Sequence, residues 1–243
     1  ATTEIYTLSL HDALPILWKN AFWNEPVFKT GSPRCDVLFN QRNEKKLEIR
    51  KKYGLSEETK IVMCAPTFRG GSQNRERKVF AETGTIDFLE LKENLEKKFG
   101  GEWIVFVRLH PQLALRGISV GNDVSKGIID VTLVDDMYEL LAATDAFVSD
   151  YSSAAFDAAL LRIPVFLYVD DLEDYVMDRG KLLWKVEDIP FPMVKNNDEL
   201  KKVIEKFNKK EYLEKLEQMF NDIGLIEDGM ATDKVINLIK NNM

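Results

Sequence analysis

The chain has 243 residues, 45% apolar and 30% charged, so it carries enough apolar surface for a core and does not read as a disordered segment. No uninterrupted apolar run reaches about 18 residues, so no segment reads as a spanning helix, and the two cysteines, Cys35 and Cys64, are too few for a disulfide framework or a zinc site. A net charge of −7, from 33 Lys+Arg against 40 Asp+Glu, argues against a broad nucleic-acid surface while leaving room for a local basic site.

The first residues stand apart from the rest. Residues 2–16 (TTEIYTLSLHDALPI) show no capping signal and no consistent period. They resemble a sequencing adaptor translated in frame. They also make a poor signal peptide, because Glu4 stands where Lys or Arg is expected and no long apolar core follows. On this reading residues 1–16 are non-native and authentic sequence starts near Leu17. His11 then drops out, leaving His110 as the histidine available for chemistry.

Residues 43–53 form a charged helix pattern stopped by Gly54. Residues 61–66 (IVMCAP) are a buried-strand pattern closed by Pro66, and residues 87–99 put Phe88, Leu91, Leu95 and Phe99 on one helical face opposite Lys and Glu. A second strand is predicted over 103–109, ended by His110-Pro111, and a short third over 128–131. A helix opens at Asp135 and runs through Ala143; a fourth strand covers 146–149, a helix 152–161 and a fifth strand 164–168. From Asn197 the chain is rich in Lys and Glu with apolar residues at helical spacing, and it closes on a helix over 232–239. Strands alternating with helices predict βαβ units and a parallel sheet covered on both faces. The expected architecture is one Rossmann-like, doubly wound α/β domain over residues 17–243 with extra C-terminal helices. There is no internal repeat, low-complexity tract or long linker.

In an open parallel sheet, ligands bind beyond the carboxyl ends of the strands. The first strand leads there into Pro66-Thr67-Phe68-Arg69-Gly70-Gly71, the second into Arg108-Leu109-His110-Pro111, and the fourth into Asp150-Tyr151-Ser152-Ser153. An arginine, a histidine and two serines therefore converge on one edge. Ser152 and Ser153 lie where a helix begins, so their hydroxyls and the free N–H groups can cradle a phosphate; the alternative is plain N-capping, worth about 1 kcal/mol. Arg69 can clamp a phosphate bidentately or be a surface arginine in a glycine-containing loop. His110, fixed by Pro111, can donate a proton or hydrogen bond to a leaving phosphate oxygen, or be structural. Asp150 and Asp157 can orient partners or bind a metal, or serve in caps and salt bridges. GxGxxG, Walker, Ser-His-Asp and metal-ligand patterns do not occur, so no cofactor and no metal ligand is assigned.

The ordered set Gly31-Ser32-Pro33-Arg34-Cys35-Asp36, Ala65-Pro66-Thr67-Phe68-Arg69, Arg108-Leu109-His110-Pro111, Ser149-Asp150-Tyr151-Ser152-Ser153 and Phe156-Asp157 carries a further signal. Pro164-Val165-Phe166, Tyr168-Val169-Asp170-Asp171-Leu172, Tyr175, Arg179-Gly180 and Asp228-Gly229 extend it. Together they resemble the CDP-glycerol:poly(glycerophosphate) glycerophosphotransferases, the teichoic-acid polymerases and primases of Gram-positive bacteria, from about Leu17 to the C-terminus. The resemblance implies a GT-B-like fold with the active site between two Rossmann-like domains, this chain being the C-terminal, nucleotide-binding one. It implies that a terminal hydroxyl of a lipid-linked or poly(glycerol phosphate) acceptor attacks the β-phosphate of CDP-glycerol and CMP leaves.

By motif position the resemblance makes His110 the catalytic histidine near the pyrophosphate, Ser152 and Ser153 phosphate-binding serines and Arg69 a motif arginine. Thr67, Asp150, Asp228 and Gly229 are implied in substrate binding as well, the last two just before the final helix, whose start can also face the donor phosphates. A pyrophosphate held by a helix N-terminus, an arginine and a histidine would have its developing charge stabilised by preorganised donors. CDP-glycerol is then a donor substrate rather than a cofactor, and a lipid-linked polyol phosphate is the acceptor. Nucleic acid is not a partner, and the expected location is cytoplasmic, peripheral on the inner face of the membrane. The run Arg75-Glu76-Arg77-Lys78 can meet the anionic acceptor or anionic headgroups, or be a solvated loop. Two departures matter. Cys35 stands where the family usually has Asn, and the WHGT-type motif of the family's N-terminal domain does not occur. The N-terminal GT-B domain and its general base are therefore expected to be missing, and the chain is expected to bind CDP-glycerol without turning it over alone. A related transferase using CDP-ribitol or another nucleotide-activated polyol or sugar is one alternative, and a non-catalytic nucleotide-binding fragment is the other.

Overall fold

The computed structural model describes residues 28–67, 69–70, 79–80, 85–110, 119–179 and 189–242, with only the backbone described for residues 69–70, 79–80, 178–179 and 242. The expectations for residues 1–16, Phe68, the basic run 75–78, Pro111 and Gly180 lie outside the described residues. In chain order the strands are β1 (Lys60–Cys64), β2 (Arg69–Gly70), β3 (Val79–Phe80), β4 (Trp103–Val107), β5 (Ile128–Asp130), β6 (Ala146–Ser149), β7 (Val165–Tyr168) and β8 (Met193–Val194). The helices are α1 (Asp36–Asn40), α2 (Arg42–Lys52), α3 (Phe88–Phe99), α4 (Met137–Ala142), α5 (Ala154–Ala159), α6 (Leu172–Arg179), α7 (Asn197–Lys206), α8 (Lys209–Asp222) and α9 (Ala231–Asn242).

Six strands form one wholly parallel sheet in the order β5-β4-β1-β6-β7-β8, while β2 and β3 make a separate antiparallel ribbon. Every residue of β4, β6 and β7 is buried, as is β1 from Ile61 onward, which is the continuous apolar reading of strands covered on both faces. Counted along the chain, the sheet strands run 3-2-1-4-5-6, the doubly wound order expected from the sequence. The chain lays β1, β4 and β5 outward in one direction, then returns to place β6 against the other side of β1. The reversal between β1 and β6 is the switch point at which such sheets open a ligand crevice.

Helix ends follow local chemistry. The Asp87 carboxylate caps α3, accepting from Leu89 N and Glu90 N at 3.0 Å each. Asp136, not Asp135, caps α4 through Tyr138 N at 2.7 Å. Asn208 accepts from Lys210 N and Glu211 N, and so splits the expected C-terminal helical stretch into α7 and α8. At the amino-terminal ends of β1 and β6, Asp145 accepts from Arg50 Nη2 (2.7 Å), Lys46 Nζ (2.6 Å) and Ile61 N (3.1 Å), which anchors α2 beneath the sheet.

The early and late parts of the domain are clasped together. Ser32 N donates to Glu227 Oε1 at 2.8 Å, and Asn40 Nδ2 donates to the Gly229 carbonyl at 2.6 Å. The Asp36 carboxylate caps α9, accepting from Ala231 N at 3.0 Å and Thr232 N at 2.8 Å. Among the described residues no helix is long and apolar enough to cross a membrane.

Candidate functional site

The site assembles where β1, β4 and β6 leave the sheet. Cys64 pairs with Val107 on one side and Val148 on the other, so Thr67, His110 and Tyr151, each three residues further on, emerge at one level. The loops after β1 and β6 are stitched directly. Asp150, 3% exposed, accepts from Thr67 N at 2.9 Å on each carboxylate oxygen and from Thr67 Oγ1 at 3.0 Å. One residue earlier, Ser149 Oγ donates to the Ala65 carbonyl at 2.6 Å. Thr67 and Asp150, both expected to bind substrate, therefore hold each other.

His110 is exposed, and the backbone leading to it is fixed from the β5 side. Leu109 N donates to Thr132 Oγ1 at 2.9 Å, and Thr132 N to Asp130 Oδ1 at 2.9 Å. Arg108, 8% exposed, donates through Nη1 to the Val134 carbonyl at 2.6 Å and the Val131 carbonyl at 3.2 Å. Burial pulls its pKa down against the opposing effect of Asp136 and Asp135. Arg108 is thus a brace for the His110 strand end, a role the bare motif did not disclose.

Ser152 and Ser153 follow Asp150 and open α5. Ser152 Oγ accepts from Ala154 N at 3.2 Å, so part of the capping alternative is realised; Ser153, in the N-cap position, makes no side-chain capping bond. Behind them Asp157 takes the salt-bridge alternative. It accepts from Tyr138 Oη at 2.6 Å, Arg34 Nη2 at 3.2 Å and Cys35 Sγ at 3.7 Å. Burial, reinforced by the Asp157 charge, pushes the Tyr138 phenol and the Cys35 thiol up. Among the described residues no group of His, Cys, Asp and Glu is placed to hold a metal ion.

Asp228 and Gly229 belong to the clasp. Asp228 accepts from Met230 N at 3.0 Å and from Lys234 Nζ at 2.7 Å, and these bonds, the lysine's foremost, hold its carboxyl below the ordinary value. Gly229 has φ 79°, and a Cβ there would lie 2.7 Å from Asn40 Oδ1 and 2.8 Å from Phe39 Cβ. The two residues form the turn into α9, whose first N–H groups are engaged by Asp36 rather than pointing at a vacant anion site. Arg34 joins this clasp to α5 through Asp157.

Motif position assigns no individual role to Asp170, Asp171 or Tyr175, just beyond β7. Tyr151 Oη donates to Asp171 Oδ1 at 3.0 Å, and its ring stacks on Tyr175 with centroids 3.7 Å apart. Thr85 donates to Asp170 Oδ2 through N at 2.9 Å and Oγ1 at 2.8 Å, and its hydroxyl lies 2.8 Å from Tyr168 Oη. A cavity of about 520 Å³ opens beyond β5, lined by Asp130, Asp135, Asp136 and Glu139 with Lys52 and Tyr53. Four carboxylates against one lysine would repel a pyrophosphate, so the switch point is the better anion site.

A family model described as CDP-Glycerol:Poly(glycerophosphate) glycerophosphotransferase matches residues 2–241, a span that takes in the adaptor-like segment. The teichoic acid poly(glycerol phosphate) polymerase of Staphylococcus epidermidis is 30% identical over 236 residues, covering 92% of this chain and 31% of that protein. The teichoic acid poly(ribitol-phosphate) polymerase of Bacillus spizizenii is 28% identical over 219 residues, covering 88% of this chain and 33% of that protein. A solved structure of the wall teichoic acid polymerase TagF, a variant soaked with CDPG, aligns with a TM-score of 0.73 at 27% identity. The alignment covers 95% of this chain and 55% of that one. The chain therefore spans about a third of these two polymerases and about half of the solved TagF chain.

Proposed function

The chain belongs to the CDP-glycerol:poly(glycerophosphate) glycerophosphotransferase family, and we propose that it supplies the donor-binding half of such an enzyme. The observation that carries the reading is the convergence of the Thr67 loop, His110 and Ser152-Ser153 at the β1/β6 switch point, in a sheet that aligns with TagF. The donor pyrophosphate lies against the start of α5, held by Ser152, Ser153 and Arg69, with His110 facing it from the neighbouring strand end. The acceptor hydroxyl attacks the β-phosphorus of CDP-glycerol. The bond from that phosphorus to the bridging oxygen breaks, and CMP leaves with the oxygen. His110 donates a proton or hydrogen bond to this leaving oxygen, stabilising charge where it develops.

The base that takes the acceptor proton is not among these residues, and a WHGT-type motif does not occur in the sequence, so the chain alone binds donor without turnover. A lipid-linked polyol phosphate as acceptor places the enzyme peripherally on the cytoplasmic face of the membrane. CDP-ribitol is the second reading, favoured by the ribitol-phosphate polymerase at nearly the same identity. The test is calorimetric titration of the 243-residue chain with CDP-glycerol, CDP-ribitol and UDP-glucose. Selective binding of CDP-glycerol is expected. Preference for CDP-ribitol would change the donor, and failure to bind either cytidine donor would overturn the reading.

A further inference from the structure

Two threonine–carboxylate pairs flank the ribbon that carries Arg69, and they share one chemistry. Thr67, two residues before β2, gives its N–H and hydroxyl to Asp150 at the end of β6. Thr85, five residues after β3, gives its N–H and hydroxyl to Asp170 just beyond β7. Each foot is thus held by paired bonds to an ionised acceptor, the stronger class of hydrogen bond. The ribbon between them has two residues per strand, with Arg69 opposite Phe80 and Gly70 opposite Val79. A ribbon that short has little stability of its own, so its placement is set by its feet. From Thr67 to Arg69 the chain reaches at most about 7 Å, so the Asp150 anchor fixes the Arg69 backbone closely.

We infer that Asp150 and Asp170 are paired positioning residues that fasten the two feet of the β2–β3 ribbon to the carboxyl ends of β6 and β7 and so place Arg69 beside the donor site. The inference rests on the donor reading above and deepens it. It also gives Asp150 a role distinct from the substrate contact expected by motif position, because both of its oxygens receive bonds from Thr67. Asp170 and Thr85 enter the machinery with it.

The test uses the far foot, in the full 243-residue chain, with CDP-glycerol as the probe. Both Thr85 bonds end on one oxygen, Asp170 Oδ2, so Asp170→Ala removes the acceptor outright, and Thr85→Val deletes the hydroxyl, whereas Thr85→Ser keeps it. If loss of the foot leaves the ribbon correctly placed about a tenth of the time, the apparent Kd rises about tenfold. Asp170→Ala and Thr85→Val should show that rise, Thr85→Ser should bind like the parent, and all three should keep the parent's melting midpoint. Parent-like affinity in Asp170→Ala and Thr85→Val would overturn the inference, as would equal loss in Thr85→Ser and Thr85→Val. If the parent binds no CDP-glycerol, the donor reading fails separately, and amide exchange at residues 69–70 and 79–80 decides the anchoring. Faster exchange there in Asp170→Ala supports it, and unchanged exchange refutes it.

Discussion

Replacing Asp157 by alanine should destabilise the domain by an amount that its bonds allow to be worked out. The carboxylate is 4% exposed and sits at the centre of a cluster linking α4, α5 and the turn before α1. Its bond from the Tyr138 hydroxyl, at 2.6 Å, is a part-buried hydrogen bond to a charged group, worth about 1.5–3 kcal/mol. The Arg34 pair is longer, at 3.2 Å, and the arginine side chain is 38% exposed, so solvent screening leaves about 0.5–1 kcal/mol. The sum is about 2–4 kcal/mol, and at roughly 2–4 °C per kcal/mol for a domain of this size the melting midpoint should fall by about 5–15 °C. Scanning calorimetry reads the shift. Tyr138→Phe alone should lose most of the first term, and the double variant should lose at least about 1 kcal/mol less than the sum of the singles, because both remove the same bond. A fall below 2 °C, or additive losses, would refute the assignment of Asp157 as the hub that braces α5 behind the serines.

Gly229→Ala should lower stability by about 2–3 kcal/mol, since alanine must adopt φ 79° and meet Asn40 and Phe39 closer than 3 Å; an unchanged thermal midpoint would refute this. His110→Ala removes an exposed side chain, so stability should change by no more than about 0.5 kcal/mol. CDP-glycerol affinity in the same variant should fall about tenfold or more, the value of a hydrogen bond to a charged group; matched losses of stability and binding would make His110 structural. Cys35 and Cys64 are buried and their thiols pushed up by that burial, so neither should react with a thiol-specific dye at pH 8 in the native protein. A reaction before unfolding would contradict the packing.

The parts legible in the sequence are those whose physics is local. β1, β4, β6 and β7 announce themselves as apolar runs because both faces are buried, and Asp87 opens α3 by capping it with its own carboxylate. β8 escapes because two residues carry no period, and the β2–β3 ribbon escapes for the same reason. The helix expected over 152–161 is confined to Ala154–Ala159, ending near Arg162, which takes a left-handed φ of 55°. For the candidate site, the motif order points to strand ends that the structure gathers on one edge, as loops after parallel strands must be. Which side chain holds which could not be read that way. Asp150 meets Thr67 across 83 residues, and Asp36 meets the start of α9 across 195, so each pairing exists only once the sheet order is known.

The clasp between residues 31–40 and 227–232 also sets a clock. On a ribosome adding about 5–20 residues per second, Asp36 is made roughly 10–40 s before Ala231, whose N–H it caps at 3.0 Å. Through that interval Ser32, Asp36 and Asn40 lack their native partners, and α1 has nothing to fasten it to the end of the domain. The sheet can close around β1 and β6 during synthesis, but the latch that seals it follows only after every one of its strands has been made.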